Sequence, residues 1–318
     1  MMPTQVVRFT IRVLAFLTVV LLLLFLNVVF GPPLIAGGFM EAMADKHRLL
    51  NTVPSPRVVV IGGSNAAFGL DSDELERAFH RPVVNMAIHG GLGFEFMVNE
   101  SIDGFRTGDL VLVMPEHVLF RTPRMLGVPF YGALDEYPEA FTFIPWSQRP
   151  KALYTFTRLK LTRTRESMHA GAEQLDTSVY RRSSFNAKGD VVGHLNMRPP
   201  GIYRIPAVEL RKGFTVDPLF WTCVDRLLDR AEQVQFTVAF GWPSFARTFS
   251  VPAVDSLLER EMRARIPLVI GSPQTYIYPD SMFFDTRYHL QAEGRRQRTA
   301  SFIADARRTL PPNWFRDP

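Results

Sequence analysis

Ser64, Asp285 and His289 are the side chains of this 318-residue chain whose types can divide an acyl transfer among them. A serine hydroxyl is a weak nucleophile until a base takes its proton. Histidine does this near neutral pH, and a carboxylate on its far ring nitrogen holds the tautomer. Ser64 follows two glycines in the stretch Arg57-Val-Val-Val-Ile-Gly-Gly-Ser-Asn-Ala-Ala-Phe-Gly69. Asp285 and His289 stand together in Phe284-Asp-Thr-Arg-Tyr-His-Leu290, just before a helical stretch that ends the chain. Backbone N–H groups at Ser64 and Gly90 would stabilise an oxyanion, an effect of about 3 kcal/mol when preorganised. A simpler reading of the Gly-Gly-Ser turn is that it closes a strand or binds phosphate through its amides.

These residues need a parallel sheet to bring them together. Val58 to Ile61 is a short apolar run suited to a strand buried on both faces. Asp71 and Glu74 have the spacing of a capping box, for a helix running to about His80. Pro82-Val-Val-Asn-Met-Ala-Ile88 reads as a second strand, ending in His89-Gly-Gly-Leu-Gly93. Leu110 to Met114 reads as a third, ending in Pro115-Glu-His117. Later strands are expected over Gln235–Phe240 and Ile266–Ile270, with helices after Asp217, over Val254–Ala264 and from about Ala292 to Leu310. Strands alternating with helices predict a parallel α/β sheet. Ser64, Gly90 and His289 then all fall on loops at its carboxyl edge, where such sheets bind ligands. Residues from about 119 to 230 lack this alternation and are read as an insertion, with a basic helix near Tyr154–Ser167.

The amino terminus predicts an uncleaved membrane anchor, the alternative being a cleaved signal peptide. Val13 to Phe30 is apolar apart from Thr18 and Asn27, and its 18 residues would extend about 27 Å as a helix. Arg8 and Arg12 precede it, which favours a cytoplasmic amino terminus and an exported remainder. The expected plan is a short cytoplasmic tail and signal-anchor over 1–36, a membrane-proximal linker over 37–56, and one large domain over 57–318. Bulk composition adds limits. The net charge of +5 with scattered arginines gives no reason to expect nucleic acid as a partner. Cys223 is the sole cysteine, which rules out an intrachain disulfide and a thiolate metal cluster. The seven histidines show no His-Glu-x-x-His spacing, so no metal is expected, and His89-Gly-Gly-Leu-Gly93 lacks the Gly-x-Gly-x-x-Gly order of a nucleotide cofactor site. His89 and His194 are expected to be structural, Trp221 and Trp242 to be core, and Arg295, Arg296 and Arg298 to be a solvated helix face.

At Gly62-Gly-Ser64-Asn65, Asn85-Met-Ala-Ile-His-Gly90 and Asp285 to His289 the chain resembles the SGNH (GDSL-type) hydrolase family. The resemblance covers about 57–118 and 235–310. It implies a flavodoxin-like α/β/α sandwich and acyl-ester chemistry without a cofactor. Ser64 would be the nucleophile, His289 the base, Asp285 its orienter, and Gly90 with the Ser64 backbone the oxyanion hole; Asn65, Glu116 and His117 would line the site. The signal-anchor together with Tyr-His-Leu before the last helix is similar to extracytoplasmic proteins of cell-surface polysaccharide acylation, which work beside a multi-spanning membrane acyltransferase. Three departures stand out. Gly63 replaces the family's usual Asp, Asp285 and His289 are four residues apart rather than three, and Glu116-His117 occupies the block where an Asn normally completes the oxyanion hole. A carboxylate there would repel an oxyanion, whereas His117 would donate to it. The implied function is an acyl esterase or O-acyltransferase on a cell-envelope polysaccharide; the alternative is a catalytically degraded accessory protein that binds polysaccharide or scaffolds an acyltransferase.

Overall fold

The amino-terminal apolar run forms helix α1 (Pro3–Phe30). The computed structural model describes residues 3–35, 38–169, 179–202 and 213–316, so parts of the expected insertion, 170–178 and 203–212, lie outside the described residues. The chain divides into two units: residues 1–36 with 144–177, and residues 37–143 with 178–318.

In the first unit α1 is long and apolar enough to cross a membrane. Its side chains are exposed along most of its length. The basic helix expected near Tyr154–Ser167 packs against its carboxyl end. Asn27 Nδ2 donates to Thr164 Oγ1 at 2.7 Å, and Lys160 Nζ donates to the carbonyls of Gly31 and Pro32 at 3.1 and 2.9 Å. These bonds hold the two residues that follow α1, Gly31 and Pro32, against the basic helix.

The second unit carries the sheet. In chain order it runs α2 (Ala42–Thr52), β1 (Val58–Gly62), α3 (Ser64–Gly69), α4 (Ser72–Phe79), β2 (Val83–Asn85), α5 (Phe94–Ser101), β3 (Leu110–Met114), α6 (His117–Arg121) and α7 (Val128–Glu136). The basic helix of the first unit, α8 (Arg149–His169), intervenes. Then come α9 (Pro218–Val234), β4 (Thr237–Phe240), β5 (Phe245–Ala246), α10 (Pro252–Arg265), β6 (Ile277–Tyr278) and α11 (Ala292–Thr309). The main sheet is four-stranded and parallel, in the order β2-β1-β3-β4. Val58 pairs with Val83 on one side and with Leu110 on the other, and Leu110 pairs with Thr237. Every residue of β1 and β3 is buried, as expected of apolar strands with helices on both faces.

Several elements differ from expectation for local reasons. Ile266–Ile270 makes a single parallel bridge, Val269 to Phe240, rather than a strand, and Pro267 has no N–H to give a ladder. Asp71 caps α4 by accepting from the N–H groups of Asp73 and Glu74, but its own N–H goes to Thr299 Oγ1, so only half of the capping box forms. The extra helix α3 fills the turn after β1. The loop 271–284 yields β6, which pairs in parallel with β5.

Buried charge ties the sheet to its surroundings. Arg57 and Asp109, both fully buried, pair at 3.2 Å, and Arg57 also donates to the carbonyls of Leu50, Val53 and Gly104. At the opposite edge Asp190, from the Asn186–Asp190 turn, accepts from Ser72 N and Oγ, Asn85 Nδ2 and Arg295 Nη2. The expected solvated arginine face of α11 is therefore corrected at two positions. Arg295 and Arg298 are 5% and 1% exposed; Arg296 alone of the three faces solvent and pairs with Glu293. A helix of low mean hydropathy hides this, because its arginines are buried by hydrogen bonds to carbonyls and carboxylates rather than by apolar packing. Trp221 and Trp242 are buried, as expected.

Candidate active site

The site is built on helix α3, which begins at the carboxyl end of β1. Ser64 is its first residue and is partly exposed, while Asn65 to Gly69 are buried. Ser64 and Phe68 are four residues apart and therefore share one face of the helix, with Cβ atoms about 5–6 Å apart. The His289 ring stacks on Phe68, with centroids 3.9 Å apart and planes 8° from parallel. The imidazole is thus held by a ring that α3 itself supplies, one helical turn along from the serine.

His289 is oriented by Asp285. The Nδ1–H donates to Asp285 Oδ1 at 2.8 Å, and both residues are about 95% buried. The four-residue spacing works because the segment folds back on itself. Phe284 N–H donates to the His289 carbonyl at 2.7 Å, and Phe283 and Leu290 form an antiparallel bridge. The other Asp285 oxygen accepts from the Tyr180 hydroxyl at 2.5 Å, and that hydroxyl is 3.2 Å from His289 Nδ1. Burial acts to raise the pKa of Asp285; the bond and charge of His289 and the bond from Tyr180 outweigh it, so the carboxyl stays below its ordinary value. With Nδ1 committed, Nε2 is the nitrogen left to accept a proton, and it makes no hydrogen bond among the described residues.

The oxyanion candidates sit alongside. Among the described residues neither the Ser64 N–H nor the Gly90 N–H donates a hydrogen bond. Gly90 opens a short 3₁₀ turn capped by His89, whose Nδ1 accepts from Gly91 N at 2.9 Å. That bond fixes the His89 tautomer with its proton on Nε2. Burial and the nearby His289 push the His89 pKa down to about 4, so it is neutral at pH 7.

Glu116, after β3, reaches the serine. Its Oε1 accepts from Asn65 N–H at 2.9 Å and from the Ser64 hydroxyl at 3.4 Å. A Cβ at Gly90 would lie 2.5 Å from its Oε2, and one at Gly63 would overlap that atom. The glycines at 63 and 90 thus leave the room that the Glu116 carboxyl occupies. Among the described residues the Ser64 hydroxyl bonds to Glu116 and not to His289. Burial raises the pKa of Glu116, and the charge of His289 acts with smaller effect to lower it. Asn65 Nδ2 donates to the Met114 carbonyl, and Asn65 itself is held by Arg298, which donates to its carbonyl and side-chain oxygens at 2.5 and 2.8 Å.

His117 points elsewhere. Its Nε2 meets Asp255 Oδ1 and its Nδ1 meets the Tyr288 hydroxyl, each at 3.1 Å, so both ring nitrogens are taken. His194 is 1% exposed; its Nε2 donates to the Leu290 carbonyl at 2.8 Å, beside the His289 loop. Tyr180 is the residue that sequence reasoning missed. It lies in a stretch with no periodic pattern, and only its bond to Asp285 identifies it. Two cavities, of about 400 Å³ beside Lys46, Arg182 and Phe185 and about 480 Å³ beside Trp221 and Arg265, are lined by other residues. No cluster of metal-ligating side chains occurs among the described residues.

Compared with known families and curated proteins, the chain matches no family model and no curated protein.

Proposed function

We propose that this chain is a membrane-anchored acyl esterase or O-acyltransferase of the SGNH type, working outside the cytoplasm on a cell-envelope polysaccharide. The observation that carries the reading is the His289 imidazole, bonded to Asp285 through Nδ1, without a hydrogen bond at Nε2 among the described residues, and stacked on Phe68, one helical turn along α3 from Ser64. The strand order β2-β1-β3-β4, continued by the Phe240–Val269 bridge, supports a flavodoxin-like sandwich, whose ligands bind at the carboxyl edge. In this reaction Ser64 Oγ attacks the acyl carbonyl as its proton passes to His289 Nε2. The Ser64 and Gly90 N–H groups hold the resulting oxyanion. Collapse releases the alcohol, which takes the proton from His289 and leaves acyl-Ser64. Water or a sugar hydroxyl then attacks that ester, with His289 again the base.

The purified full chain should hydrolyse p-nitrophenyl acetate, and Ser64→Ala should abolish the turnover. Turnover that survives the substitution, or none in the unaltered protein, would reject the reading. A second reading is favoured by one observation: the Ser64 hydroxyl bonds to Glu116, where a carboxylate opposes an oxyanion. In that case the chain is a non-catalytic partner of a membrane acyltransferase or binds polysaccharide, and Ser64→Ala complements a deletion fully.

A further inference from the structure

Glu116 is the buried group that the acyl mechanism above leaves idle. It is 2% exposed, yet both of its hydrogen bonds, from Asn65 N–H and from the Ser64 hydroxyl, go to Oε1. Oε2 is sealed from solvent and has no hydrogen-bond partner among the described residues. It lies against the α-carbons of Gly63 and Gly90, where neither position has room for a Cβ. An ionised carboxylate would spread its charge over both oxygens and would want donors at each; an unpaired buried one is costly. A neutral acid fits the same surroundings. Its carbonyl oxygen collects both donors, and its hydroxyl carries the proton toward the two glycines.

We propose that Glu116 works as a neutral carboxylic acid whose Oε2–H is the third donor of the oxyanion hole, beside the N–H groups of Ser64 and Gly90. The proposal rests on the acyl-transfer reading of this site. It assigns the glutamate the part that a neutral side-chain donor would play, and it turns the feature that argued against catalysis into a component of it. The charged or titratable groups that act on Glu116 are His289 and, from α11, Arg298. Burial raises the Glu116 pKa, and the Asn65 N–H, the charge of His289 and the Ser64 hydroxyl only partly offset this. A buried acid kept neutral so that it can donate to an oxyanion is physically sound. The sign follows: as pH rises through the elevated Glu116 pKa the donor is lost, so the rate falls on the alkaline side.

The test compares Glu116→Gln with Glu116→Ala in the full chain, using p-nitrophenyl acetate across pH, with isotope-edited infrared spectra of the glutamate carboxyl. Gln keeps an acceptor at Oε1 and offers an N–H near Oε2. The expected kcat/KM is within about tenfold of the unaltered protein for Gln and lower by about 10²–10³-fold for Ala. The alkaline fall assigned to Glu116 should be absent in the Gln variant. At pH 7 the spectrum should contain a protonated carboxyl band that Glu116→Gln removes, a readout that does not depend on the Ala variant folding. Glu116→Gln as impaired as Glu116→Ala, or much faster than the unaltered protein, or a purely ionised spectrum, would overturn the assignment. If the unaltered protein shows no serine-dependent turnover, the acyl reading falls and takes this role with it. Turnover that is Ser64-dependent but insensitive to Glu116 removes only this inference.

Discussion

The Tyr180 hydroxyl donates to the Asp285 oxygen that His289 leaves open, so two donors share one carboxylate. Hydrogen bonds to a charged group are worth about 1.5–3 kcal/mol. Part of that holds Asp285 in its ionised form and part fixes the plane of the imidazole. Tyr180→Phe should therefore lower kcat/KM by about tenfold, with KM little changed and thermal stability retained. Asp285→Asn, which disturbs the tautomer itself, should cost about 10²–10⁴-fold. Equal losses in the two variants would deny Asp285 its orienting role. The Asp285–His289 pair was legible from residue types just before the last helix, and the structure brings the two together. Tyr180 was not, because no spacing connects it to Asp285 and the bond spans 105 residues of sequence.

At the scale of elements, the serine is only as fixed as α3, and α3 is fixed from α11. Arg298 is fully buried and donates to the Asn65 carbonyl, the Asn65 side chain and the Trp242 carbonyl, with burial lowering its pKa to about 10. Arg298→Met removes those donors and leaves buried acceptors unpaired. It should destabilise the fold by about 2–4 kcal/mol, read as a lower urea midpoint with an unchanged m-value. A midpoint shift near zero would mean that Arg298 is not the tie described here. His194 gives a pH signature. Its folded pKa is lowered from 6.5 to about 4, chiefly by burial. Between those values the unfolded chain binds the extra proton, so this stability is complete above pH 6.5 and is lost as the pH falls toward 4. The loss is about 3 kcal/mol, and the slope of unfolding free energy against pH over that window should flatten in His194→Gln. The strands were legible because a fully buried parallel strand is a continuous apolar run. The inward arginines of α11 were not, because a charged residue looks the same in sequence whether it meets water or a carbonyl. The segment Ile266–Ile270 shows the opposite case, an apolar run that reads as a strand and makes one bridge.

At the scale of the whole molecule, α1 is an exposed apolar helix 28 residues long, preceded in its apolar core by Arg8 and Arg12. The full chain should sediment with membranes and resist high-salt washing, as burial of an apolar helix in lipid is insensitive to screening. A variant lacking residues 1–36 should be released. If the positive-inside bias sets the orientation, protease added to the outer side of the membrane should reach the sheet-bearing unit. Protection of that unit would reverse the proposed localisation.

The central claim is that the Ser64 hydroxyl is a nucleophile activated by His289. Its most direct measurement is mass-spectrometric mapping of a fluorophosphonate adduct on the purified full chain. The account predicts one adduct, on Ser64, formed much more slowly in His289→Ala and absent in Ser64→Ala. An adduct on another residue, or reactivity indifferent to His289, would contradict it.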